Sequence, residues 1–396
     1  MFTITSLKNG LANVRGIYCD GVNCGLRPDP EQGDLAFIRS EIPATLSAVY
    51  TSNRFRAAPL RHALRYGRTF EGNCILVNAK NANAMTGEAG IRDVEEILSS
   101  LPAKAQALNP VMSSTGVIGY RLPVDKIKAG LHKLDWHAKN SDAAARAILT
   151  TDSFKKEICL EVELEGGQRF HVAAIAKGAG MINPSMATML CFIATDAAVP
   201  IPEQERLLKE AVDRSFNRIS VDGDTSTNDT VYLMANGASG VYHPEAFAEA
   251  LGRVCFELAM MILKDGEGAN KVVAFEVTGA ASDEEAARAA TNLSNSLLVK
   301  TALFGEDPNW GRIAATIGAS NVACDEEKLV IYYDDLLIYD AEHRELNPER
   351  EERAYRIMKQ DSFRIRCDLG MGEGSHTAYG CDLSYEYVKI NAEYRT

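Results

Sequence analysis

The chain has 396 residues, of which 46% are hydrophobic and 24% are charged, as in an ordinary globular protein. Its 42 Lys and Arg residues against 54 Asp and Glu residues give a formal charge of −12, and the basic residues are not clustered. This charge argues against nucleic acid or an anionic membrane as the main partner and favours small-molecule chemistry.

Strand-like and helix-like segments alternate along the whole chain. The predicted elements, in chain order, are a hairpin of strands 158–164 and 171–176, helices 202–216 and 244–263, a strand 272–277, a helix 282–299, and strands 329–333 and 363–369. The hairpin turns at Gly166–Gly167, and Ser282 before three acidic residues predicts a helix N-cap. Hairpins mixed with helices indicate α/β layers with largely antiparallel or mixed sheets.

The run from Lys177 to Leu190, KGAGMINPSMATML, has the features of a self-cleaving segment. In it, the small residue Ala187 precedes Thr188, and apolar residues follow. Cleavage between the two would place the Thr188 hydroxyl beside a free α-amine, so that one residue supplies nucleophile and base. An unperturbed α-amine titrates at roughly 7.7–8.0, which suits a general base near neutral pH. Taken alone, the run fits better a glycine-containing loop that enters a buried strand, since Ala-Thr is a common dipeptide.

Acyl transfer also requires hydrogen-bond donors aimed at the developing oxyanion. The segment 113–119, SSTGVIG, can supply them, because its glycines let backbone N–H groups point outward and Thr115 carries a hydroxyl. Segments of this composition are usually plain turns, so the segment alone does not decide the matter.

Several polar residues could hold an amino acid by its carboxylate and its amine. Lys177 precedes a glycine turn and could pair with a carboxylate. Glu267 lies between two glycines, which allow close approach of a ligand, and could hold an ammonium group. The alternative for both residues is an exposed surface side chain. The run Thr150–Asp152 follows an Ala-rich helix and also fits a capping turn.

These segments together resemble the ornithine acetyltransferase family, the glutamate N-acetyltransferases of arginine biosynthesis. The central run matches the family's processing motif through Ala197, STGVIG matches its oxyanion motif, and the last residues match VxINA(D/E)YRT. Further family-like blocks lie at 53–59, 222–229 and 305–312. The resemblance covers nearly the whole chain.

The resemblance implies a layered sandwich of mixed sheets between helices, with layers like those of N-terminal-nucleophile hydrolases. It also implies self-cleavage into an α chain, residues 1–187, and a β chain, residues 188–396, which stay in one folded body. The family's usual assembly is a heterotetramer of two α and two β chains.

The resemblance implies a ping-pong reaction in which Thr188 takes acetyl from N²-acetyl-L-ornithine and passes it to L-glutamate. Thr115 and Gly116 would form the oxyanion hole. The implied substrate contacts are Thr151, Lys177, Thr188, Glu267, Asn391 and Thr396. We expect no metal or cofactor, and the sequence leaves open whether acetyl-CoA is also a donor, which would make the enzyme bifunctional.

The chain departs from the family's pattern at a few positions outside the nucleophile and oxyanion motifs. Lys80 replaces Gly and Met85 replaces Cys in one turn, and Asn270 replaces Thr. Lys80 adds a charge that would alter substrate choice if its turn faces the site. The run 222–229 lacks the glycine and the distal glutamate of a calcium loop, so we predict no metal there.

The cysteines and the N-terminus predict a cytoplasmic protein. The nine cysteines are scattered without a CxxC pair, which indicates buried thiols rather than disulfides or a zinc cluster. Residues 1–10 lack the apolar core of a signal peptide, and we expect no membrane-spanning segment.

Three other functions remain open from the sequence. An enzyme that used Thr188 with water as the acceptor would be an amidohydrolase or aminopeptidase and would release acetyl without glutamate. A tailoring acetyltransferase of a secondary pathway would act on another amino acid, which a panel of acceptors would reveal. An unprocessed, non-enzymatic scaffold would stay a single intact chain.

Overall fold

The computed structural model describes residues 1–183 and 189–393, which fold into two β-sheets covered by helices. The strands are β1 (Phe2–Ser6), β2 (Ile17–Val22), β3 (Leu35–Tyr50), β4 (Thr69–Asn78), β5 (Val111–Ser114), β6 (Lys156–Leu164), β7 (Arg169–Lys177), β8 (Leu190–Thr195), β9 (Ile219–Ser220), β10 (Thr230–Ala235), β11 (Val272–Ala280), β12 (Val330–Tyr333), β13 (Leu336–Tyr339), β14 (Ser362–Asp368) and β15 (Gly374–Cys381). The helices are α1 (Ala58–Ala63), α2 (Gly87–Ser99), α3 (Val124–Leu131), α4 (Ser141–Ala147), α5 (Ile201–Asp213), α6 (Pro244–Lys264), α7 (Asp283–Asn295), α8 (Leu297–Phe304), α9 (Trp310–Gly318), α10 (Pro348–Met358) and α11 (Tyr385–Glu393). Short 3-10 helices lie at Gly10–Asn13, Leu64–Tyr66, Ala103–Ala105 and Phe216–Arg218. The layered α/β fold with mixed sheets is confirmed.

The larger sheet has nine strands in the order β1-β6-β7-β8-β10-β3-β4-β5, with β2 paired to β3. Its strand β8 is antiparallel to β7 and parallel to β10. Alternate side chains of a strand point to opposite faces, and Cys191 and Ile193 enter the core under α5 and α6 while Leu190 and Phe192 enter the core on the other face. Because both faces are covered, β8 is buried along its whole length. The chain therefore enters an enclosed part of the sheet directly after Met189.

The smaller sheet has six strands in the order β13-β12-β14-β11-β15-β9 and is apolar mainly on one face. In β11, Val273 and Phe275 are fully buried and alternate with half-buried residues. Helix α7 covers the buried face through residues such as Ala286 and Leu293. The turn that holds Glu267 precedes this sheet's strand β11, and helix α11 follows β15.

Most of the predicted elements are present. The hairpin predicted over 158–164 and 171–176 is confirmed, since β6 and β7 pair antiparallel. The helices predicted over 202–216 and 244–263 are confirmed as α5, which ends at Asp213, and α6. The strands predicted at 272–277, 329–333 and 363–369 are confirmed as β11, β12 and β14.

The helix predicted from Ser282 to Val299 is wrong in one respect, because it is divided in two at Ser296. Ser282 caps α7 as predicted, and its hydroxyl accepts a hydrogen bond from the Glu285 N–H at 3.3 Å. Ser296 has an extended backbone, with ψ at 114°, and its hydroxyl accepts from the Val299 N–H at 3.4 Å. A serine that satisfies a free N–H in this way starts a new helix.

Eight of the nine cysteines are buried, Cys324 is exposed, and all nine are free thiols.

Across residues 1–183 and 189–393, we find no helix with the length and apolar character that crossing a membrane requires. Within the described residues, no group of three or more His, Cys, Asp or Glu side chains is placed to hold a metal ion.

Candidate functional site

A cavity of about 210 Å³ opens at one edge of the larger sheet, where the C-terminal end of β7 meets the N-terminal ends of β8 and β10. Its lining residues come from distant parts of the chain: Ala82, Thr115, Gly116, Ile118, Thr150, Thr151, Lys177, Gly180, Met181, Asp222, Asp224, Ser226, Thr227, Asn228, Glu267, Tyr387 and Asn391. Strand pairing thus collects several of the polar motifs in one place.

The structure brings six of the predicted site residues to this cavity. They are Thr115, Gly116, Thr151, Lys177, Glu267 and Asn391. The predicted cleavage bond between Ala187 and Thr188, and the predicted contact Thr396, lie outside the described residues. The chain reappears at Met189, whose backbone enters β8 at the same edge of the sheet.

Thr115 and Gly116 follow β5 and press closely against the turn that contains Lys80. The Thr115 N–H donates to the Asn78 carbonyl at 3.0 Å, so its hydroxyl is the group that can face an oxyanion. Gly116 has φ at +128°, and a Cβ there would lie 2.2 Å from the Lys80 carbonyl carbon. Only glycine fits such a position. Lys80, which stands where the family has glycine, has a φ of 74°. It therefore lies directly against the candidate oxyanion segment.

Lys177 is 2% exposed, so the alternative of a solvated surface lysine is wrong. Its ammonium donates to Thr150 Oγ1 at 2.6 Å and lies 3.8 Å from Asp152 Oδ2. Burial lowers the pKa of Lys177 below the value ordinary for lysine, although the Asp152 carboxylate opposes the shift. A positive charge held in this way strongly favours a carboxylate ligand in the cavity.

A chain of buried charges continues from Asp152 to the end of helix α6. Asp152 Oδ1 accepts from Lys156 Nζ and from the Gly178 N–H, both at 2.7 Å. Lys156 Nζ also donates to Asp265 Oδ2 at 2.5 Å. Burial alone would raise the pKa of Asp152, but the ammonium groups of Lys177 and Lys156 hold it well below the ordinary value. The pairing compensates the cost of burying these charges.

Glu267 is only 8% exposed, so the alternative of an exposed carboxylate is also wrong. Its N–H donates to the Ala179 carbonyl at 2.9 Å, and its Oε2 accepts from Asn391 Nδ2 at 2.7 Å. A Cβ on Gly180 would lie 2.5 Å from the Glu267 carboxyl carbon, which explains the glycine. The carboxylate is thus seated between the 179–180 turn and helix α11.

The wall beside Glu267 contains Asp222 and Tyr387. Asp222 accepts from the Met181 N–H at 2.6 Å, from the Ile182 N–H at 2.9 Å and from the Tyr387 hydroxyl at 3.3 Å. Burial raises the pKa of Asp222, and burial together with this carboxylate raises the pKa of Tyr387. The hydroxyl of Tyr387 therefore remains a hydrogen-bond donor at neutral pH.

Sequence reasoning missed several residues that build the site. Lys156 begins the observed strand β6, two residues before the predicted strand 158–164, and nothing in the sequence marks it as fully buried. The run 222–229 matches a family block and is not a calcium loop, but the sequence assigns its residues no role, and its last four residues are buried polar groups. A polar run just before a continuously apolar strand, 230–235, was the signal that could have found them, because functional groups concentrate at strand ends.

Comparison with known proteins agrees with the family resemblance. A family model described as the ArgJ family matches residues 18–396. The arginine biosynthesis bifunctional protein ArgJ of Wolinella succinogenes is 55% identical over 397 residues and covers 100% of both chains. That of Geobacter sulfurreducens is 43% identical, over 97% of this chain and 100% of its own. A solved structure of ArgJ from Bacillus halodurans is 38% identical over 51% of this chain and 98% of its own, with a TM-score of 0.48.

Proposed function

The chain belongs to the ArgJ family and is an acetyltransferase of arginine biosynthesis, and from this premise we propose that it moves acetyl from N²-acetyl-L-ornithine to L-glutamate through Thr188. The observation that carries the proposal is the single cavity that joins a buried lysine, a buried glutamate and the Thr115–Gly116 segment. Lys177 and Glu267 lie close enough to interact electrostatically. Opposite charges beside oxyanion donors suit an acylated amino acid.

The enzyme would first mature by cutting its own chain. The Thr188 hydroxyl attacks the Ala187 carbonyl, and the peptide bond becomes an ester as the nitrogen leaves. Water then hydrolyses the ester, which frees the Ala187 carboxylate and leaves Thr188 with a hydroxyl and an α-amine. The products are the chains 1–187 and 188–396, held together by the shared sheet, since β7 and β8 come from different products and pair directly.

In the first half-reaction the α-amine of Thr188 takes the hydroxyl proton, and Oγ attacks the acetyl carbonyl of acetylornithine. The Thr115 hydroxyl and the Gly116 N–H stabilise the oxyanion, each contributing about 3 kcal/mol. The proton passes to the departing amine, and L-ornithine leaves. The acetyl group remains as an ester on Thr188.

In the second half-reaction the amine of L-glutamate attacks the acetyl ester and regenerates the Thr188 hydroxyl. Lys177 pairs with the α-carboxylate that both amino acids share, and Glu267 accepts from a substrate ammonium. Thr151 and Asn391, which also line the cavity, supply further hydrogen bonds, and Thr396 is the last proposed contact. Using one cavity for both substrates is what a ping-pong mechanism requires.

The proposal is tested by measuring L-ornithine release from acetylornithine with and without L-glutamate. We expect sustained turnover only when glutamate is present, and no turnover or chain cleavage in Thr188→Ala. Sustained acetate release without glutamate would make the protein an amidohydrolase. Turnover with another amino acid alone would make it a tailoring acetyltransferase. A cleaved, active Thr188→Ala protein would refute the role of Thr188.

We propose that the transfer requires no cofactor, because the nucleophile, the base and the oxyanion donors all belong to the chain. Supplying acetyl-CoA and glutamate without acetylornithine tests whether acetyl-CoA is a second donor. Formation of N-acetylglutamate under these conditions would make this enzyme bifunctional, as its relatives are named.

We also propose an assembly of two α and two β chains in the cytoplasm. The free, mostly buried thiols support a reducing compartment. Light scattering should give a mass twice that of the 43.1-kDa chain. A mass equal to one chain would contradict the assembly and leave the chemistry intact.

A further inference from the structure

The segment Ser226–Thr230 has no role in the reaction as described so far, yet it is buried and polar. Ser226, Thr227, Asn228 and Asp229 are each at most 8% exposed. They lie immediately before β10, which is parallel to β8 and pairs Thr230 with Leu190. The segment therefore runs beside the point where the chain leaves Thr188 and enters β8.

Asn228 contacts the candidate oxyanion segment through its side-chain amide. Its Nδ2 donates to the Ser114 carbonyl at 2.8 Å and to the Ala82 carbonyl at 2.7 Å, and its Oδ1 accepts from Thr227 Oγ1 at 2.6 Å. The Ser114 carbonyl belongs to the same peptide plane as the Thr115 N–H. Asn228 thus fixes the orientation of the peptide that leads into Thr115.

Asp229 contacts the strand that carries the nucleophile. Its Oδ1 accepts from the Met189 N–H at 3.0 Å, and the Met189 carbonyl accepts from the Thr230 N–H at 3.2 Å. The Met189 nitrogen shares a peptide plane with the carbonyl of Thr188. Asp229 is 1% exposed, and its Oδ2 has no hydrogen-bond partner among the described residues.

We propose that Asn228 and Asp229 are positioning residues that set the distance between the nucleophile and the oxyanion donors. Two adjacent residues on one segment hold the peptide before Thr115 and the peptide after Thr188. Oxyanion donors act only when they lie within about 0.5 Å of the productive geometry, so a link of this kind determines the rate. The inference rests on the proposed function, because it assumes that Thr188 is the acetylated residue.

The test compares Asn228→Ala and Asp229→Ala with Asn73→Ala. Asn73 is a matched control, because it is also buried and bridges two carbonyls, those of Ser40 at 3.2 Å and Gln106 at 2.9 Å, away from the cavity lining. All three variants lose buried hydrogen bonds, and only the first two touch the proposed link. Thermal unfolding reports the folded fraction of each.

For Asn228→Ala we expect kcat for acetyl transfer to fall about 100-fold, as for a displacement of about 1 Å in a reacting group. The KM for acetylornithine should stay within about threefold, and uncleaved precursor should accumulate, because the same geometry serves self-cleavage. Asp229→Ala removes the acceptor of the Met189 N–H and should show the same split between kcat and KM. The variant Asn73→Ala should keep the wild-type kcat per folded molecule.

A kcat in both variants equal to that of Asn73→Ala would overturn the inference. If Asn228→Ala does not fold, Asp229→Ala decides alone, since it breaks the contact with Met189 at the other end of the link. Failure of the wild-type protein to transfer acetyl would instead overturn the proposed function, so the two failures are distinguishable.

Discussion

The two ends of the cavity are built from different kinds of interaction. The recognition end of the cavity is lined by Lys177, which continues into a chain of buried ionic groups outside the lining, Asp152, Lys156 and Asp265, each paired with another. The reaction end consists of main-chain groups and the neutral side chains of Thr115 and Asn228. Charges give strong binding in a buried site, whereas oxyanion stabilisation depends on fixed dipoles at short distance. Substitutions at the recognition end should therefore alter KM and stability, and substitutions at the reaction end should alter kcat.

The largest expected effect is on stability, at the recognition end. Lys156→Met removes the cation paired with the buried carboxylate of Asp265 and leaves that of Asp152 with Lys177, at 3.8 Å, and we expect a loss of roughly 3–5 kcal/mol in the free energy of unfolding. Urea denaturation measures it. Lys155→Met, at a partly exposed neighbouring residue, is the control and should cost less than about 1 kcal/mol. Equal losses in the two variants would mean that the buried pairing does not stabilise the fold.

The next largest expected effect is a fall in kcat, at the reaction end. Thr115→Val removes the hydroxyl but keeps the shape, and we expect kcat to fall by about 100-fold, or about 3 kcal/mol, with little change in KM. Steady-state kinetics with acetylornithine and glutamate gives both constants. A raised KM with unchanged kcat would show that Thr115 binds the substrate rather than the oxyanion.

At the recognition end, Lys177→Met should raise the KM for both amino acids by about 30-fold, since each loses a charge-assisted hydrogen bond to its carboxylate. The kcat should change less than the KM. Lys300→Met is the control, because Lys300 is equally buried but donates to the Cys381 carbonyl at 2.5 Å. It should lose stability and keep the wild-type KM. An unchanged KM in Lys177→Met would remove the residue from the carboxylate site.

The smallest effect is a difference in pH dependence between two buried aspartates. The folded-state pKa of Asp152 is lowered, so its stabilisation is complete above the unfolded value of about 3.9 and is lost as the pH falls through the folded value. The stability gap between the wild type and Asp152→Asn should therefore narrow in acid. Burial raises the pKa of Asp229, so the wild type should lose stability relative to Asp229→Asn as the pH rises above about 4. Urea denaturation at a series of acidic pH values gives the free energy of unfolding of each protein. The comparison would be contradicted if the difference between the wild type and the variant changed with pH in the same direction for Asp152→Asn and Asp229→Asn.

The fold was predictable where an element is determined by residues close together in the sequence. The hairpin β6–β7 and the helices α5 and α6 follow from periodicity and turn residues over short stretches. The break at Ser296 was missed because its hydroxyl could either face solvent or cap a new helix, and packing decides which. The parallel pairing of β11 with β14 joins residues about ninety positions apart, which periodicity does not encode.

The site residues were predictable where a single sequence motif contains the groups that act in the reaction. Thr115, Lys177, Glu267 and Asn391 were named from motifs and resemblance, and they line one cavity. Lys156 and Asn228 were not named, because their importance lies in contacts with Asp265 and Ser114, more than a hundred residues away. Buried positioning groups of this kind have no local signature.

The most direct test of the account is intact mass spectrometry of the denatured protein, before and after incubation with N²-acetyl-L-ornithine and without glutamate. The account predicts two chains that divide between Ala187 and Thr188, with the mass of one acetyl group added to the 188–396 chain alone. A single uncleaved chain, or an acetyl group on the 1–187 chain, would contradict Thr188 as the nucleophile.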